Sequence, residues 1–247
     1  MRIVNVCAAL GCAALFSVAA SNAAAATIVS FDNGWYSQNN KSSSDFTAGV
    51  SNINVGWNNV TGASYHNWLA FDLATLAGQN ITSATLTFHG ANGVYDSPKA
   101  SETLGLFDYT GSINALVGNQ TGVGIYNDLG SGVSYGQTSV SGPLGQFSVT
   151  LTADALAALS AAANHLTDNR FVVGGSLLSV AAVHDGDNWY SDGQLFKITG
   201  AQSALQYAAF LTVESGSVPL PAVLPLMLTG LGALGIVRRR KQEAQVA

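Results

Sequence analysis

His66-Asn67-Trp68-Leu69-Ala70-Phe71-Asp72-Leu73, followed by Ile81-Thr82-Ser83-Ala84-Thr85-Leu86-Thr87-Phe88, decides the fold. Side chains alternate across a strand, so Leu69, Phe71 and Leu73 share one face, and Ala84, Leu86 and Phe88 share one face of the next segment. Both segments read as half-buried strands. The same short period predicts strands over Thr27–Phe31, Ile53–Trp57, Glu102–Asp108, Gln146–Leu151, Arg170–Gly174, Gln194–Thr199 and Leu205–Val213. Asn39–Ser44, Gly90–Pro98 and Gly130–Gly142 are clusters of Gly, Asn, Ser and Asp and read as loops. One segment, Ala153–Leu166, has helical spacing: Leu156, Leu159 and Ala163 fall on one face, and Thr152 or Asp154 serves its N-terminus. Many strands, one short helix and no βαβ alternation predict an all-β, two-sheet antiparallel β-sandwich, jelly-roll-like in its order.

The two ends of the chain have a different composition. Met1-Arg2, an apolar Ile3–Ala20 and the small residues Ser21–Ala26 have the three-part form of a secretory signal peptide over residues 1–26. At the other end, Val218-Pro219-Leu220-Pro221-Ala222 leads into sixteen uncharged residues, 222 to 237, and then Arg238-Arg239-Arg240-Lys241. Counted from Val218 the stretch is twenty residues, and about 20 at 1.5 Å rise cross a ~30 Å hydrocarbon core. A transmembrane helix is expected there. The basic cluster places its end in the cytoplasm and the domain outside. Pro219, Pro221 and Pro225 favour an extended lead-in, which keeps Val218–Ala222 accessible to a partner at the membrane face. The organisation expected is a signal peptide (1–26), a β-sandwich domain (27–217) and a C-terminal sorting segment (218–247).

The order of motif, apolar segment and basic cluster resembles the PEP-CTERM type of sorting signal in its VPLPA variant. That resemblance implies processing of the tail by a membrane-embedded exosortase, after transient anchoring in the inner membrane. It also implies a final location at the cell surface or in the extracellular matrix of a Gram-negative bacterium. The strand segments 66–73 and 81–88 are similar to a strand pair of β-sandwich modules in bacterial surface proteins, including DNRLRE-type domains related to carbohydrate-binding modules. Further likeness to a group of PEP-CTERM surface proteins runs through Ser101–Asp108, Asn127–Gly136 and Leu151–Leu156. These resemblances imply a fold and a location, and no reaction.

Between the two targeting segments stand thirteen acidic residues and four basic ones, a net charge of −9. An acidic domain without a basic stripe is a poor partner for nucleic acid, which needs clustered Lys and Arg. Both cysteines, Cys7 and Cys12, lie in the leader, so a disulfide is not expected in the exported domain. Ala9-Leu10-Gly11-Cys12 is a poor match to a lipoprotein box, with too short an apolar run before Cys12.

No catalytic residue stands out. His66, His89, His165 and His184 are widely spaced, without an HExxH pattern or cysteine partners. No G-x-S-x-G elbow occurs, and Gly174-Gly175-Ser176 reads as a strand end. Asp185, Asp187 and Asp192 form the densest acidic cluster and are the candidates for a structural Ca²⁺, which takes six to eight oxygens; Asp and Gly also simply make turns. Trp189 interrupts the EF-hand spacing. Asp185 with Asp187 or Asp192 would be a glycosidase pair only across a cleft. Asn33-Gly34-Trp35-Tyr36-Ser37 and Asp187-Asn188-Trp189-Tyr190-Ser191 echo one another, placing Trp35, Tyr36, Trp189 and Tyr190 beside amides and carboxylates. Such faces stack on sugar rings, yet adjacent Trp and Tyr in a strand point to opposite sides, so one of each pair goes to ordinary packing. The three Asn-x-Thr sequons, at Asn59, Asn80 and Asn119, are accidental matches in a bacterial chain.

The sequence thus predicts an exported, non-enzymatic surface or matrix protein associated with exopolysaccharide or biofilm, its partners an exosortase, the inner membrane and a polysaccharide. Two alternatives stay open: a carbohydrate-binding module, and a glycan hydrolase or lyase.

Overall fold

The computed structural model describes residues 24–44, 53–58, 61–89, 95–97, 99–143, 145–166, 168–179, 183–185, 188–190, 194–195 and 209–216. In chain order the strands are β1 (Ala24–Val29), β2 (Asp32–Ser37), β3 (Ser42–Ser44), β4 (Val55–Asn58), β5 (Ala63–Asp72), β6 (Asn80–His89), β7 (Tyr95–Asp96) and β8 (Glu102–Phe107). After helices α1 (Ile113–Val117) and α2 (Val123–Leu129) follow β9 (Ser134–Val140), β10 (Gln146–Thr150), helix α3 (Ala153–Ala163) and β11 (Arg170–Leu177). The short pieces β12 (Val183–Asp185), β13 (Asn188–Tyr190) and β14 (Gln194–Leu195) precede β15 (Ala209–Gly216). One antiparallel sheet has the order β1-β15-β6-β10. The other runs β7-β14-β4-β5-β11-β8-β9, with β2 also on β5 and β3 on β2. The chain is mostly β, built as a β-sandwich of two antiparallel sheets.

β5 and β6 belong to opposite sheets, joined through a single 3₁₀ turn at Ala74–Leu76. Their apolar faces therefore meet across the core. Leu69, Phe71 and Leu73 on one side, and Ala84, Leu86 and Phe88 on the other, are all at most 2 % exposed in one cluster with Leu104, Leu106, Val173 and Leu211. Fully burying one such side chain contributes about 1.5–3 kcal/mol, so this interlayer is the main stabilising feature. Helix α3 covers the core's flank. Thr152 caps it, its side chain accepting from the Ala155 amide, and Ala155, Leu159 and Ala163 are buried while Leu156 packs at the margin. The helix ends at Ala163, short of Leu166, because Asn164 turns back onto the Ser160 carbonyl at 2.8 Å; Leu166 is left 99 % exposed.

Each of the three clusters expected to be loops contains a strand, β3 in 39–44, β7 in 90–98 and β9 in 130–142, and two helices stand beside the single one expected. Within 130–142 lies strand β9, whose Tyr135 and Val140 enter the core. Before it, α1 and α2 form an excursion that covers the outer face of the larger sheet. Leu116 and Leu129 from the helices close over Tyr36, Trp68, Ala70 and Val172 as a second buried cluster. Helices of five and seven residues are too short to stand on propensity and depend on this packing. Gly174 makes the docking possible: a Cβ there would lie 2.4 Å from the Leu129 carbonyl oxygen and 2.8 Å from its Cα. The excursion is tied at its base by Asp128, whose carboxylate accepts from the Thr110 amide at 2.9 Å and the Gly111 amide at 3.0 Å.

β1 begins inside the small-residue run and pairs with β15 along its length, from Ala24 opposite Ser215 to Val29 opposite Phe210. No helix among the described residues is long and apolar enough to cross a membrane. The signal segment up to residue 23, the motif Val218–Ala222, the apolar stretch to 237 and the basic cluster Arg238–Lys241 lie outside the described residues.

Candidate functional site: the Trp35 face

Directly opposed residues of an antiparallel pair share a face. Against β5, Asn33 opposes Leu69, Trp35 opposes Asn67 and Ser37 opposes Tyr65, whereas Asp32, Gly34 and Tyr36 oppose Ala70, Trp68 and His66. Leu69 belongs to the interlayer core and Trp68 and Ala70 to the outer cluster, so β2 sends Trp35 to the inner side and Tyr36 to the outer one. Tyr36 is 0 % exposed and its hydroxyl donates to the Leu116 carbonyl at 3.2 Å. Burial, more than any charge, pushes its pKa up to about 12. A sugar ring has no access to it. Tyr36 is a core residue, as the opposite-face rule requires of one member of the pair.

Trp35 remains half-buried. The Tyr65 ring meets it edge to face, centroids 4.9 Å apart at 75°, and the Tyr65 hydroxyl is held 2.9 Å from Thr61 Oγ1. Two amides complete this side of the sheet. Asn33 is 6 % and Asn67 1 % exposed, and Asn67 Oδ1 has no hydrogen-bond partner. Gly175, opposite Asn67 in β11, leaves the space the amide occupies: a Cβ there would sit 2.2 Å from Asn67 Oδ1. A half-buried indole braced by a tyrosine edge is the chemistry that stacks on sugar C–H groups, whereas the Asn33 and Asn67 amides, closed to solvent like Tyr36, belong to the fold. Tyr65, Asn67 and Gly175 were not singled out in the sequence. The signal for Asn67 was present, because it shares the parity of Leu69 and Phe71 and is a polar residue at an inward position.

Several other polar side chains among the described residues have structural partners, whereas Ser30 Oγ, Asn54 Oδ1 and Trp68 Nε1 are buried without a hydrogen bond. His66 stacks on Tyr126 with centroids 4.0 Å apart and planes 4° from parallel, and Nδ1 lies 2.6 Å from the Tyr126 carbonyl oxygen. A carbonyl only accepts, so Nδ1 carries a proton and donates. Burial holds the His66 pKa below its ordinary value, partly offset by that hydrogen bond. His165 Nδ1 accepts from the Asp168 amide at 3.1 Å. Glu102, 1 % exposed, accepts from Ser97 Oγ at 2.6 Å and from Ser179 Oγ, pinning the segment before β8 to the exit of β11. Asp168 grips Arg170 through Nε and Nη2, both at 2.7 Å, and that contact lowers the Asp168 pKa. A shallow cleft of about 320 Å³ beside this pair is lined by Ile113, Ala161, Ala162 and His165. Ser176, read as lying at a strand end, is inside β11, 6 % exposed, and donates to the Gly130 carbonyl at 3.3 Å.

For the second aromatic pair only the backbone is described. β12 and β13 pair with Asp185 opposite Asn188 and His184 opposite Trp189. The side chains of Asp185, Trp189 and Tyr190, and residues Asp187 and Asp192 altogether, lie outside what is described. Among the described residues no group of three or more His, Cys, Asp or Glu is placed to hold a metal ion. Comparison with protein-family models and with curated proteins finds no match to this chain.

Proposed function

We propose that this is an exported, non-enzymatic β-sandwich protein of the bacterial cell surface or extracellular matrix, delivered through its C-terminal sorting tail and associated with exopolysaccharide. The observation that carries the reading is the β1–β15 ladder. Ala24 faces Ser215, so the leader and the tail both attach at one end of one sheet. That arrangement suits a domain held by two membrane-directed segments: both can enter the same bilayer while the sandwich folds on one side of it. Fractionating cells that carry the tagged full chain, with and without the exosortase, tests it. Surface or matrix recovery is expected with the enzyme, and retention in the membrane without it. A cytoplasmic protein in both strains would end this reading.

The carbohydrate-binding alternative is favoured by a separate observation, the half-buried Trp35 indole braced by the Tyr65 edge. Glycan-array retention should fall at least about tenfold for Trp35→Ala, and further in the double variant with Trp189→Ala; a loss of about 1.4 kcal/mol corresponds to that factor. Retention unchanged by the substitutions would remove the carbohydrate-binding alternative at these residues.

A further inference from the structure

The small-residue run ending the leader offers three places for an A-x-A-like cut. Within the run, alanine at the inner recognition position with a small residue at the outer one occurs for cleavage after Ala23 (outer Ser21), after Ala25 (outer Ala23) and after Ala26 (outer Ala24). After Ala24 the outer position is Asn22, which is larger and polar. Sequence composition alone does not separate the three.

The ladder does. Ala24, Ala25 and Ala26 each have a partner in β15, namely Ser215, Glu214 and Val213, and make up half of the six-residue strand. The alternation of the domain extends into them: Ala25 and Thr27 are exposed, while Ala26 and Ile28 pack against the core. β1 is also the edge of its sheet, and β15 lies between it and β6. A chain starting at Thr27 would keep only the pairs to Thr212, Leu211 and Phe210, and would leave the backbone of Val213–Ser215 unpaired on a newly opened edge. Of these three cuts only the one before Ala24 keeps the strand whole.

We propose that the leader is removed between Ala23 and Ala24, with Ser21 and Ala23 as the recognition residues, so that Ala24 opens the mature domain. The inference rests on the export reading and fixes the position of the cut within it. The reaction is hydrolysis of one peptide bond by a membrane-bound leader peptidase: water adds across it, Ala23 leaves with the new carboxylate and Ala24 keeps the α-amino group.

The test is N-terminal sequencing of the protein recovered outside the inner membrane of a Gram-negative host expressing the full chain, with two single-site variants. Ala24 is expected as the first residue. Ala26→Leu, which spoils only the cut after Ala26, should leave that terminus unchanged. Ala23→Leu should abolish it, giving uncleaved precursor or a terminus at Thr27. A native terminus at Ala26 or Thr27, or arrest of processing by Ala26→Leu, overturns the proposal. An exported protein still carrying Met1 overturns it and leaves export standing, whereas a chain confined to the cytoplasm with its leader intact overturns both.

Discussion

Replacing Gly174 by alanine puts a methyl group where the structure has backbone. The added Cβ would sit 2.4 Å from the Leu129 oxygen, 2.8 Å from its Cα and 2.9 Å from its carbonyl carbon, none of them the end of a flexible side chain. Ordinary contact needs about 3.5–4.0 Å between carbons. The last turn of α2 must therefore lift by roughly 1 Å, taking Leu129, 0 % exposed, off Trp68 and Val172. Overpacking of this kind costs about 1–3 kcal/mol, and partial exposure of Leu129 moves the total toward the upper end. In a domain of this length 1 kcal/mol shifts Tm by about 2–4 °C, so Gly174→Ala should melt roughly 4–12 °C below the parent. The control lies in the same helix. Gly124 meets nothing within 4 Å of its added Cβ, so Gly124→Ala should hold or raise Tm, by up to about 1 kcal/mol of helix propensity. Calorimetry of the two variants decides. A Gly174→Ala protein within 1 °C or so of the parent, or a Gly124→Ala protein lowered as far as Gly174→Ala, would refute the docking of α2 on β11.

His66 is neutral in the fold with its pKa depressed by burial, so the unfolded chain takes up its proton first as pH falls. Stability should be complete above the ordinary histidine range near 6.5 and decline below it; in melting curves from pH 7.5 to 5 the His66→Gln variant should show a shallower decline than the parent, and parallel curves would remove the assignment. Glu102→Ala orphans Ser97 and Ser179 and opens space at a 1 % exposed site, which should cost about 1–3 kcal/mol, read as a lower urea midpoint at unchanged slope. A midpoint equal to the parent's would show the network to be dispensable.

The sandwich was legible because its two deciding segments alternate cleanly. Leu69-Phe71-Leu73 and Ala84-Leu86-Phe88 fill the interlayer, and period 2 states that directly. β9 was hidden because Gly, Ser and Gln dominate it, and only Tyr135 and Val140 reveal a buried face; its strand character comes from the ladder to β8. α1 and α2 were hidden for a different reason. Five and seven residues span too few turns to show a period, and what holds them, Leu116 and Leu129 over Trp68, lies more than forty residues away in sequence. At the candidate site the rule that neighbours in a strand diverge separated Trp35 from Tyr36 in principle, but which went inward depended on the register against β5. Asn67 and Gly175 meet only through a second register, that of β11 against β5.

Intact-mass measurement of the protein recovered from the cell surface, from cells carrying the exosortase, tests export by a removable tail most directly. The mass should lack everything beyond the VPLPA region, and Arg238–Lys241 with it. A surface protein whose mass still includes that basic cluster would contradict it.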